Sequence, residues 1–410
     1  MLFRNLLRLA IREGSVRLID TNGETYSFGD GQGPHSVLRL QRRGMDTALA
    51  LNPGLAVAEA YMDGTLTIEE GTLRDFIEIA ARNYPHVERH WLVKLGTALK
   101  RQTRRLKQYN PIGKAQQNVA HHYDLSDALY DLFLDSDRQY SCAYFTSETD
   151  SLDEAQEYKK RHLAAKLWLD RPGLRVLDIG SGWGGLGLYL AQTADCEVKG
   201  VTLSVEQHKV SQNRAAELGL DSQVEFHLQD YREERQRYDR IVSVGMFEHV
   251  GKKNYQEFFG KLYDLLDDDG VCVLHSIGRF NEPGPINPFI RKYIFPGADL
   301  PTLSEVTGPV EDSGLLVTDI EILRLHYAET LRHWYERFQA NRAKVAELYD
   351  ERFCRMWEMY LIGCEMGFRH QGLMVFQMQL TKKIDALPLT RDYIHEWERG
   401  TVGRQAAAAE

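Results

Sequence analysis

The chain has 410 residues, 43% of them hydrophobic, and this length favours two domains because single hydrophobic cores stop growing at about 250–300 residues. Its formal net charge of −9 disfavours general nucleic-acid binding. Its five cysteines are widely spaced without a CxxC pair, which argues against a disulfide framework or a zinc knuckle and favours a reducing cytoplasm.

Residues 1–85 predict a small α+β domain. The runs SVRLIDTNGETYSFGDG and HSVLRLQ predict short strands, and LAVAEAYMDG predicts a helix. Arg4, Arg8 and Arg12 interrupt the apolar start of the chain, and no window reaches the ~18 apolar residues of a membrane span. We therefore expect neither a secreted nor an integral membrane protein, and a role of this domain in membrane contact or dimerisation stays open.

Residues 86–115 predict a basic amphipathic helix and a linker. Residues 89–114 carry eight basic side chains and no acidic one. Apolar residues recur there at every fourth position, at Val87, Trp91, Leu95 and Leu99. Such a helix is either a solvated linker or a contact with an anionic membrane surface, where each basic residue contributes ~1 kcal/mol. Pro111 and Gly113 end it and mark the domain boundary.

From residue 116 to about residue 400, strands alternate with helices, which predicts a doubly wound α/β domain. Ser151 and Glu154 have capping-box spacing and start a helix that runs to about Leu169. Helices are also expected at residues 205–218 and 254–266. The strand candidates are LRVLDIG, CEVKGVTL, VEFHLQ, YDRIVSVG and GVCVLHSIG. The alanine-rich end, residues 401–410, predicts a disordered tail.

The segment LDIGSGWGG places Gly180, Gly182 and Gly185 at GxGxxG spacing directly after the first of these strands. Glycines there let the backbone approach a ligand closely, but the spacing alone is a weak signal for a dinucleotide. Asp178 precedes the loop, where its carboxylate can meet a ligand ammonium. That arrangement favours S-adenosylmethionine over NAD.

Two further strand ends support the same cofactor. The second strand ends in VTLS, without a clear ribose-binding acid, although Glu206 keeps the dinucleotide alternative open. The third ends in LQDY, where Asp230 can accept from an adenine amino group and Tyr231 can pack on the ring. We therefore predict a methyltransferase-type site.

Two strand ends bear candidates for the reaction itself. Glu248 and His249 in GMFEHV follow the fourth strand, and His275 in LHSIGRF ends the fifth. Each of these side chains also has a purely structural interpretation. A glutamate can cap a turn, and a histidine in the core can have its hydrogen bonds satisfied by the backbone. The context of the other motifs decides between these interpretations.

The motifs YSCAYF, LDIGSGWGG, VTLSVEQ, FEHV, LHSIG and HYAETL occur here in an order and spacing that resemble the cyclopropane-fatty-acyl-phospholipid synthases and mycolic acid cyclopropane synthases. AHHYDLSDALYDLFLD and IRKYIFPGADLP extend the resemblance, and AEAYMDG resembles the extra N-terminal domain of the phospholipid-acting branch. The resemblance covers nearly the whole chain. It implies a seven-stranded Rossmann-like methyltransferase domain with a smaller N-terminal α+β domain.

The resemblance also implies the activity and its residues. A methyl group passes from S-adenosylmethionine to a cis double bond, and bicarbonate removes a proton from the resulting carbocation so that a cyclopropane closes. The implied bicarbonate ligands are Cys142, Glu248, His275, Ile277 (through its backbone) and Tyr327. The implied cofactor contacts are Tyr140, Ser141, Asp178, Gly180, Ser181, Gly182, Thr202, Leu203, Gln207, Asp230, Tyr231 and Val244. Ser181 and Ser276 stand where many relatives have cysteine and threonine.

In this interpretation His275 donates to and orients a bound anion, and Cys142 positions an anion or substrate rather than acting as a nucleophile. The implied substrate is unsaturated phospholipid at the membrane surface, acted on by a cytoplasmic homodimer associated peripherally with the inner face of the membrane. No metal and no nucleic acid are expected.

The apolar insertion at about residues 281–305 is interpreted as a lid over the acyl chain, with a dimer contact as the alternative. The main functional alternative is a related lipid methyltransferase that leaves a methyl or methylene branch. A lipid-binding module with a vestigial pocket and a small-molecule methyltransferase are weaker alternatives.

Overall fold

The computed structural model describes residues 2–88 and 126–409. Residues 89–115 of the predicted basic helix and linker lie outside the described residues, so the two interpretations of this helix stay predictions. The described chain forms two compact units. The first contains residues 2–88, 284–296 and 328–373, and the second contains residues 126–283, 297–327 and 374–409. No described helix is both long enough and apolar enough to cross a membrane.

The first unit begins with a four-stranded sheet in the order β2-β1-β3-β4. Its strands are β1 Ser15–Ile19, β2 Thr25–Gly29, β3 His35–Leu40 and β4 Leu66–Glu70. Its first helices are α1 Leu2–Ala10, α2 Asp46–Leu51, α3 Pro53–Met62 and α4 Leu73–Glu88. Strand β1 pairs antiparallel with β2 and parallel with β3. Phe3 and Leu7 lie one helical turn apart on α1 and pack into a core with Val16 and Leu38. The strands and the helix predicted from this part of the sequence are confirmed.

The first unit also includes segments from the second half of the chain. These are a π-helix at Ile290–Ile294, most of α11 His326–Ala340, and the helices α12 Arg342–Leu348 and α13 Glu351–His370. Lys292 and Tyr293 both donate to Glu59, at 2.6 and 2.8 Å. Residues 284–296, in the middle of the predicted lid, thus belong to the first unit, and their role as a lid stays a prediction.

The second unit contains a seven-stranded sheet in the order β10-β11-β9-β8-β5-β6-β7. Its strands are β5 Arg175–Ile179, β6 Glu197–Thr202, β7 Val224–Leu228, β8 Tyr238–Val244, β9 Leu266–Arg279, β10 Leu316–Ile322 and β11 Leu373–Thr381. The five strands from β5 to β9 pair in parallel, and β10 pairs antiparallel with β11. This arrangement confirms the doubly wound α/β fold class.

Helices cover both faces of this sheet. They are α5 Asp127–Tyr130, α6 Leu152–Lys166, α7 Gly185–Ala194, α8 Val205–Glu217, α9 Tyr255–Leu265, α10 Leu303–Ser313 and α14 Asp392–Ala409. The capping box of Ser151 and Glu154 is present, and α6 ends three residues before the expected Leu169. Helix α14 extends through residues 401–409, where the sequence predicts a disordered tail, because its four final alanines are strong helix formers.

Strand β9 shows how the sheet separates two cores. Cys272 and Leu274 belong to a core that contains Phe258 of α9, whereas Val273 points to a second core with Leu163 of α6. Because side chains alternate along a strand, His275 lies on the same face as Val273. The end of β9 therefore presents a histidine on the side of the sheet that α6 covers.

Candidate active site

The loop between β5 and α7 carries the predicted glycine motif. Gly180 and Gly182 have positive φ angles of 85° and 56°, which glycine adopts without strain. A Cβ atom at Gly180 would lie 2.9 Å from Cβ of Met246, so a side chain does not fit there. The amides of Gly180 and Ser181 both donate to the carbonyl of Val201, at 2.9 and 3.1 Å. The loop is thus held against the end of β6.

Asp178, at the end of β5, is the buried acid of this region. Burial raises its pKa to about 7, and the nearby charge of Lys159 partly opposes that rise. Asp178 Oδ2 and Ser181 Oγ are buried and have no hydrogen-bond partner among the described residues. Buried polar atoms are normally paired, so these two oxygens fit a ligand that brings its own donors. The ammonium and hydroxyl groups of S-adenosylmethionine satisfy that requirement.

Residues 137–142, which we call the strap, carry the predicted contacts Tyr140, Ser141 and Cys142. Lys159 on α6 is buried, and its Nζ donates to Gln139 Oε1 at 2.5 Å and to Ser141 Oγ at 2.9 Å. Gln156 Nε2, one turn earlier, donates to the carbonyls of Gln139 and Ser141 at 3.1 and 3.0 Å. Two side chains of α6 therefore fix the strap.

Lys159 was not among the predicted site residues. Burial lowers its pKa to about 8, while the charge of Asp135 opposes the change. The sequence does contain a signal, because Lys159 lies four residues from Ala155 and from Leu163, both fully buried. A lysine on the apolar face of a helix needs a partner inside the protein.

A second set of contacts holds the start of the strap. Asp137 bonds to Lys160 at 2.8 Å and contacts Arg214 of α8 closely. Burial opposes ionisation, but these two cations hold the pKa of Asp137 below its usual value. Arg214 also donates to the carbonyl of Trp183 in the glycine loop at 2.9 Å. The strap and the glycine loop are therefore connected through one arginine.

The predicted adenine and ribose contacts follow β6 and β7. Thr202 Oγ1 donates to Gln207 Oε1 at 3.1 Å, and Leu203 between them is half-buried. Asp230 accepts from the guanidinium of Arg232 at 2.9 and 2.6 Å, a pairing that the sequence interpretation missed. Such a bidentate pair holds the carboxylate in a fixed orientation.

Tyr231 and Val244 flank the same edge of the sheet. The ring of Tyr231 packs edge-on against Phe258, with 5.5 Å between the ring centroids. Val244 ends β8, directly opposite His275 in the register of β9. The predicted cofactor contacts therefore follow successive strand ends along one edge.

Glu248 lies in a 3-10 turn at Phe247–His249, immediately after β8. The amide of Ile277 donates to Glu248 Oε1 at 2.6 Å, and Oε2 is buried without a hydrogen-bond partner among the described residues. Burial raises the pKa of Glu248 to about 7, against the hydrogen bonds from the amides of Ile277 and Glu248 and from Ser276. The amide that the resemblance assigns to an anion thus contacts Glu248 in this structure.

His275 is 2% exposed, and its Nδ1 lies 3.2 Å from Nε2 of Gln377 on β11. Burial lowers its pKa to about 3, and the charges of Lys159 and Lys166 add to the effect. The imidazole is therefore neutral at physiological pH. Gln377 was also missed, although FQMQL places two glutamines at alternate positions of an apolar strand, which marks them as buried polar groups.

The remaining two predicted anion ligands are buried in the same unit. Cys142 is 1% exposed on the strap, and its Sγ donates to the carbonyl of Ala143 at 3.3 Å. Tyr327 is 8% exposed in the first turn of α11. The structure joins Glu248 directly to Ile277, whereas the grouping of all five around one anion rests on the resemblance.

Comparison with known proteins agrees with this geometry. Residues 112–378 match the family model described as mycolic acid cyclopropane synthetase, and residues 3–89 match a domain of unknown function, DUF7884. The chain is 42% identical to the cyclopropane-fatty-acyl-phospholipid synthase of Escherichia coli K12 over 264 residues, 64% of this chain and 67% of that protein. It is 34% identical to the tuberculostearic acid methyltransferase UfaA1 of Mycobacterium tuberculosis over 398 residues, 92% of this chain and 90% of that one.

Two solved structures share the fold. The cyclopropane synthase MmaA2 of Mycobacterium tuberculosis aligns with a TM-score of 0.63 and 33% identity, over 66% of this chain and 98% of that one. The mycolic acid cyclopropane synthase CmaA1 in complex with SAH and CTAB aligns with a TM-score of 0.62 and 35% identity, over 66% and 99%. With the glycine loop and the buried acids at one sheet edge, these matches show that the chain is an S-adenosylmethionine-dependent methyltransferase and belongs to the mycolic acid cyclopropane synthetase family.

Proposed function

We propose that this enzyme converts cis double bonds in the acyl chains of unsaturated phospholipids into cyclopropane rings. S-adenosylmethionine supplies the methyl group, and the net reaction adds one CH2 to the acyl chain and releases S-adenosylhomocysteine and one proton. The observation that carries the proposal is the buried pair of Glu248 and His275, since ring closure requires a place for that proton next to the reacting carbon. Methyl transfer to an amine or hydroxyl also releases a proton, so the choice of an olefin as acceptor is supported by the match to the family model described as mycolic acid cyclopropane synthetase.

The residues at this point suit bicarbonate. Glu248 Oε2 and Gln377 Oε1 are buried without partners among the described residues, so each is ready to accept a hydrogen bond. Neutral His275 can donate, as can Tyr327, and the buried cation Lys159 gives the surroundings a positive potential. Cys142, Glu248, His275, Ile277 and Tyr327 would hold the anion, which supplies a base that the cation on the lipid does not consume.

The protein itself then has three tasks. Glu248, with its pKa near neutrality, accepts or returns a proton at its free oxygen. His275 and Tyr327 orient the anion by donating to it. The strap, fixed through Lys159 and Gln156, keeps Cys142 and Ser141 in place and excludes water from a reactive carbocation.

A second candidate product is a methyl- or methylene-branched acyl chain. It is favoured by the 34% identity to the tuberculostearic acid methyltransferase, which extends over 92% of this chain. The same methyl transfer precedes both outcomes. They differ in the fate of the cation. For a ring, the proton leaves the transferred methyl group and a carbon–carbon bond closes, whereas for a methylene branch a hydride shift precedes the loss of that proton. A saturated methyl branch requires a hydride donor in addition.

One assay tests the proposal and separates the candidates. The purified chain is incubated with S-adenosylmethionine and vesicles of unsaturated phosphatidylglycerol or phosphatidylethanolamine, and the acyl chains are analysed by mass spectrometry and proton NMR. We expect a mass gain of one CH2 with loss of olefinic signals and appearance of cyclopropane signals. A branched product with other signals supports the second candidate, and unchanged lipid with intact cofactor binding overturns both.

We further propose that the enzyme acts as a homodimer on the inner face of the membrane and that residues 89–114 contact anionic lipid. The basic composition of that segment supports the contact. Charge reversal at Arg104 and Arg105 should weaken binding to anionic vesicles at low salt. The same reversal at Arg42 and Arg43, an exposed arginine pair in the first unit, is the matched control. Equal binding by both variants would favour a solvated linker, and sedimentation analysis tests the dimer.

A further inference from the structure

The side chain that contacts His275 comes from a distant part of the sequence. Gln377 is 102 residues away, on β11, which neighbours β9 in the sheet. Both side chains are nearly inaccessible to solvent, with exposures of 1% for Gln377 and 2% for His275. Their 3.2 Å contact joins Nε2 of the amide to Nδ1 of the ring. This contact is therefore a buried hydrogen bond between two neutral polar groups.

The chemistry of the two groups determines the direction of that bond. An amide nitrogen only donates, so Nδ1 of His275 must be the acceptor. A neutral imidazole that accepts at Nδ1 carries its proton on Nε2. The neutral form is favoured by burial, and Lys159, Lys166 and His162 oppose protonation while Glu321 favours it. With its Nε2 facing the ring, Gln377 favours the tautomer that carries hydrogen on Nε2 of His275.

We propose that Gln377 is a positioning residue that holds His275 in the tautomer with hydrogen on Nε2, so that the ring donates a hydrogen bond to an oxyanion beside Glu248. The inference rests on the proposed function for the identity of that anion. The opposite tautomer would present a lone pair to the anion and repel it. Gln377 itself touches neither substrate nor anion in this role.

Strand β11 offers a matched control. Gln379 lies on the same face two residues later and is also buried, with an exposure of 2%. Its Nε2 donates to the carbonyl of Lys166 at 2.5 Å and to Tyr393 Oη at 2.7 Å. Gln379→Met therefore removes a buried amide of equal size from the same strand without removing the contact to His275.

The experiment measures the tautomer directly by nitrogen-15 NMR of histidine-labelled protein, with the His275 signal assigned from a His275→Asn variant. We expect hydrogen on Nε2 in the unmodified protein and in Gln379→Met. In Gln377→Met the two tautomers should mix. In Gln377→Glu the ring should carry hydrogen on Nδ1, because a carboxylate accepts from it. Hydrogen on Nδ1 in the unmodified protein overturns the proposal, even if a variant fails to fold.

Kinetics provide the second readout. Gln377→Met should lower kcat about 10- to 100-fold, as is usual for partners that orient a functional histidine, with an unchanged KM for S-adenosylmethionine. Gln379→Met should lower the melting temperature to a similar extent but leave kcat unchanged. Equal loss of kcat in both variants would assign Gln377 a structural role. The tautomer is measured without substrate. The test of Gln377 is therefore independent of whether the cyclopropane assay succeeds.

Discussion

Asp178 lies near the end of β5 and Glu248 in the turn after β8, two adjacent parallel strands of the sheet, and burial raises the pKa of each residue to about 7. Their surroundings differ. The nearby cation Lys159 opposes the pKa shift at Asp178, whereas hydrogen bonds from Ile277, from its own amide and from Ser276 oppose the pKa shift at Glu248. A carboxylate near a fixed charge is suited to binding, and one among neutral donors is suited to exchanging a proton. We therefore propose that Asp178 serves cofactor binding and that Glu248 serves the chemistry.

The largest expected effect is a loss of turnover without a loss of cofactor binding when Glu248 is changed. Glu248→Gln keeps the acceptor for the amide of Ile277 but cannot exchange a proton, so kcat should fall about 100-fold or more while the affinity for S-adenosylhomocysteine is retained. Single-turnover kinetics and calorimetry measure the two quantities. Glu305→Gln is the control for removal of a buried carboxylate, because glutamine is also found at this capping-box position, while the ion pair with Lys252 at 2.8 Å is lost. Weaker cofactor binding with normal turnover would reverse the assignment.

The next effect concerns Lys159. Lys159→Met removes a charge and leaves Gln139 Oε1 and Ser141 Oγ without their donor, so the strap should loosen and S-adenosylhomocysteine should bind about tenfold more weakly. Isothermal calorimetry measures the affinity. Lys383→Met removes a surface lysine paired with Asp269 and should leave the affinity for S-adenosylhomocysteine unchanged. Tight binding by Lys159→Met would remove the strap from cofactor recognition.

The pH dependence of binding tests Asp178. Below about pH 7 the carboxyl is protonated and cannot attract a ligand ammonium, so affinity should rise with pH through that value, by at most about tenfold per pH unit. Binding near neutral pH should therefore release protons, which calorimetry in buffers of different ionisation enthalpy detects. Asp178→Asn should flatten the profile. A profile of equal slope in this variant would assign the titration to another group.

The smallest effect is on stability. Ser151 caps α6 by accepting from the amide of Glu154 at 3.3 Å, and Ser151→Ala should cost about 1 kcal/mol in the free energy of unfolding. Urea denaturation measures this cost. Turnover should stay normal because Ser151 precedes the helix by one residue, about two turns before Lys159. A loss of turnover without a loss of stability would mean that the start of α6 takes part in catalysis.

The sequence predicted the parts of the site that depend on local patterns. The glycine loop, the capping box and the strands β5 to β9 each have their signal within a few residues. Lys159 and Gln377 were missed because their partners are distant, 18 residues away at Ser141 and 102 residues away at His275. Arg232 was missed for a different reason, since nothing in LQDYR distinguishes an arginine that clamps Asp230 from one in solvent. For Lys159 and Gln377, the available signal was a polar residue within an apolar sequence pattern.

The proposed function depends on a small anion that Glu248 and His275 would hold and that would supply the base for ring closure. Its most direct test is the rate of cyclopropane formation in buffer freed of carbon dioxide, followed by titration with bicarbonate. We expect turnover to fall in the depleted buffer and to return with saturation as bicarbonate is added, and Glu248→Gln not to be restored. An equal rate with and without bicarbonate would contradict the account.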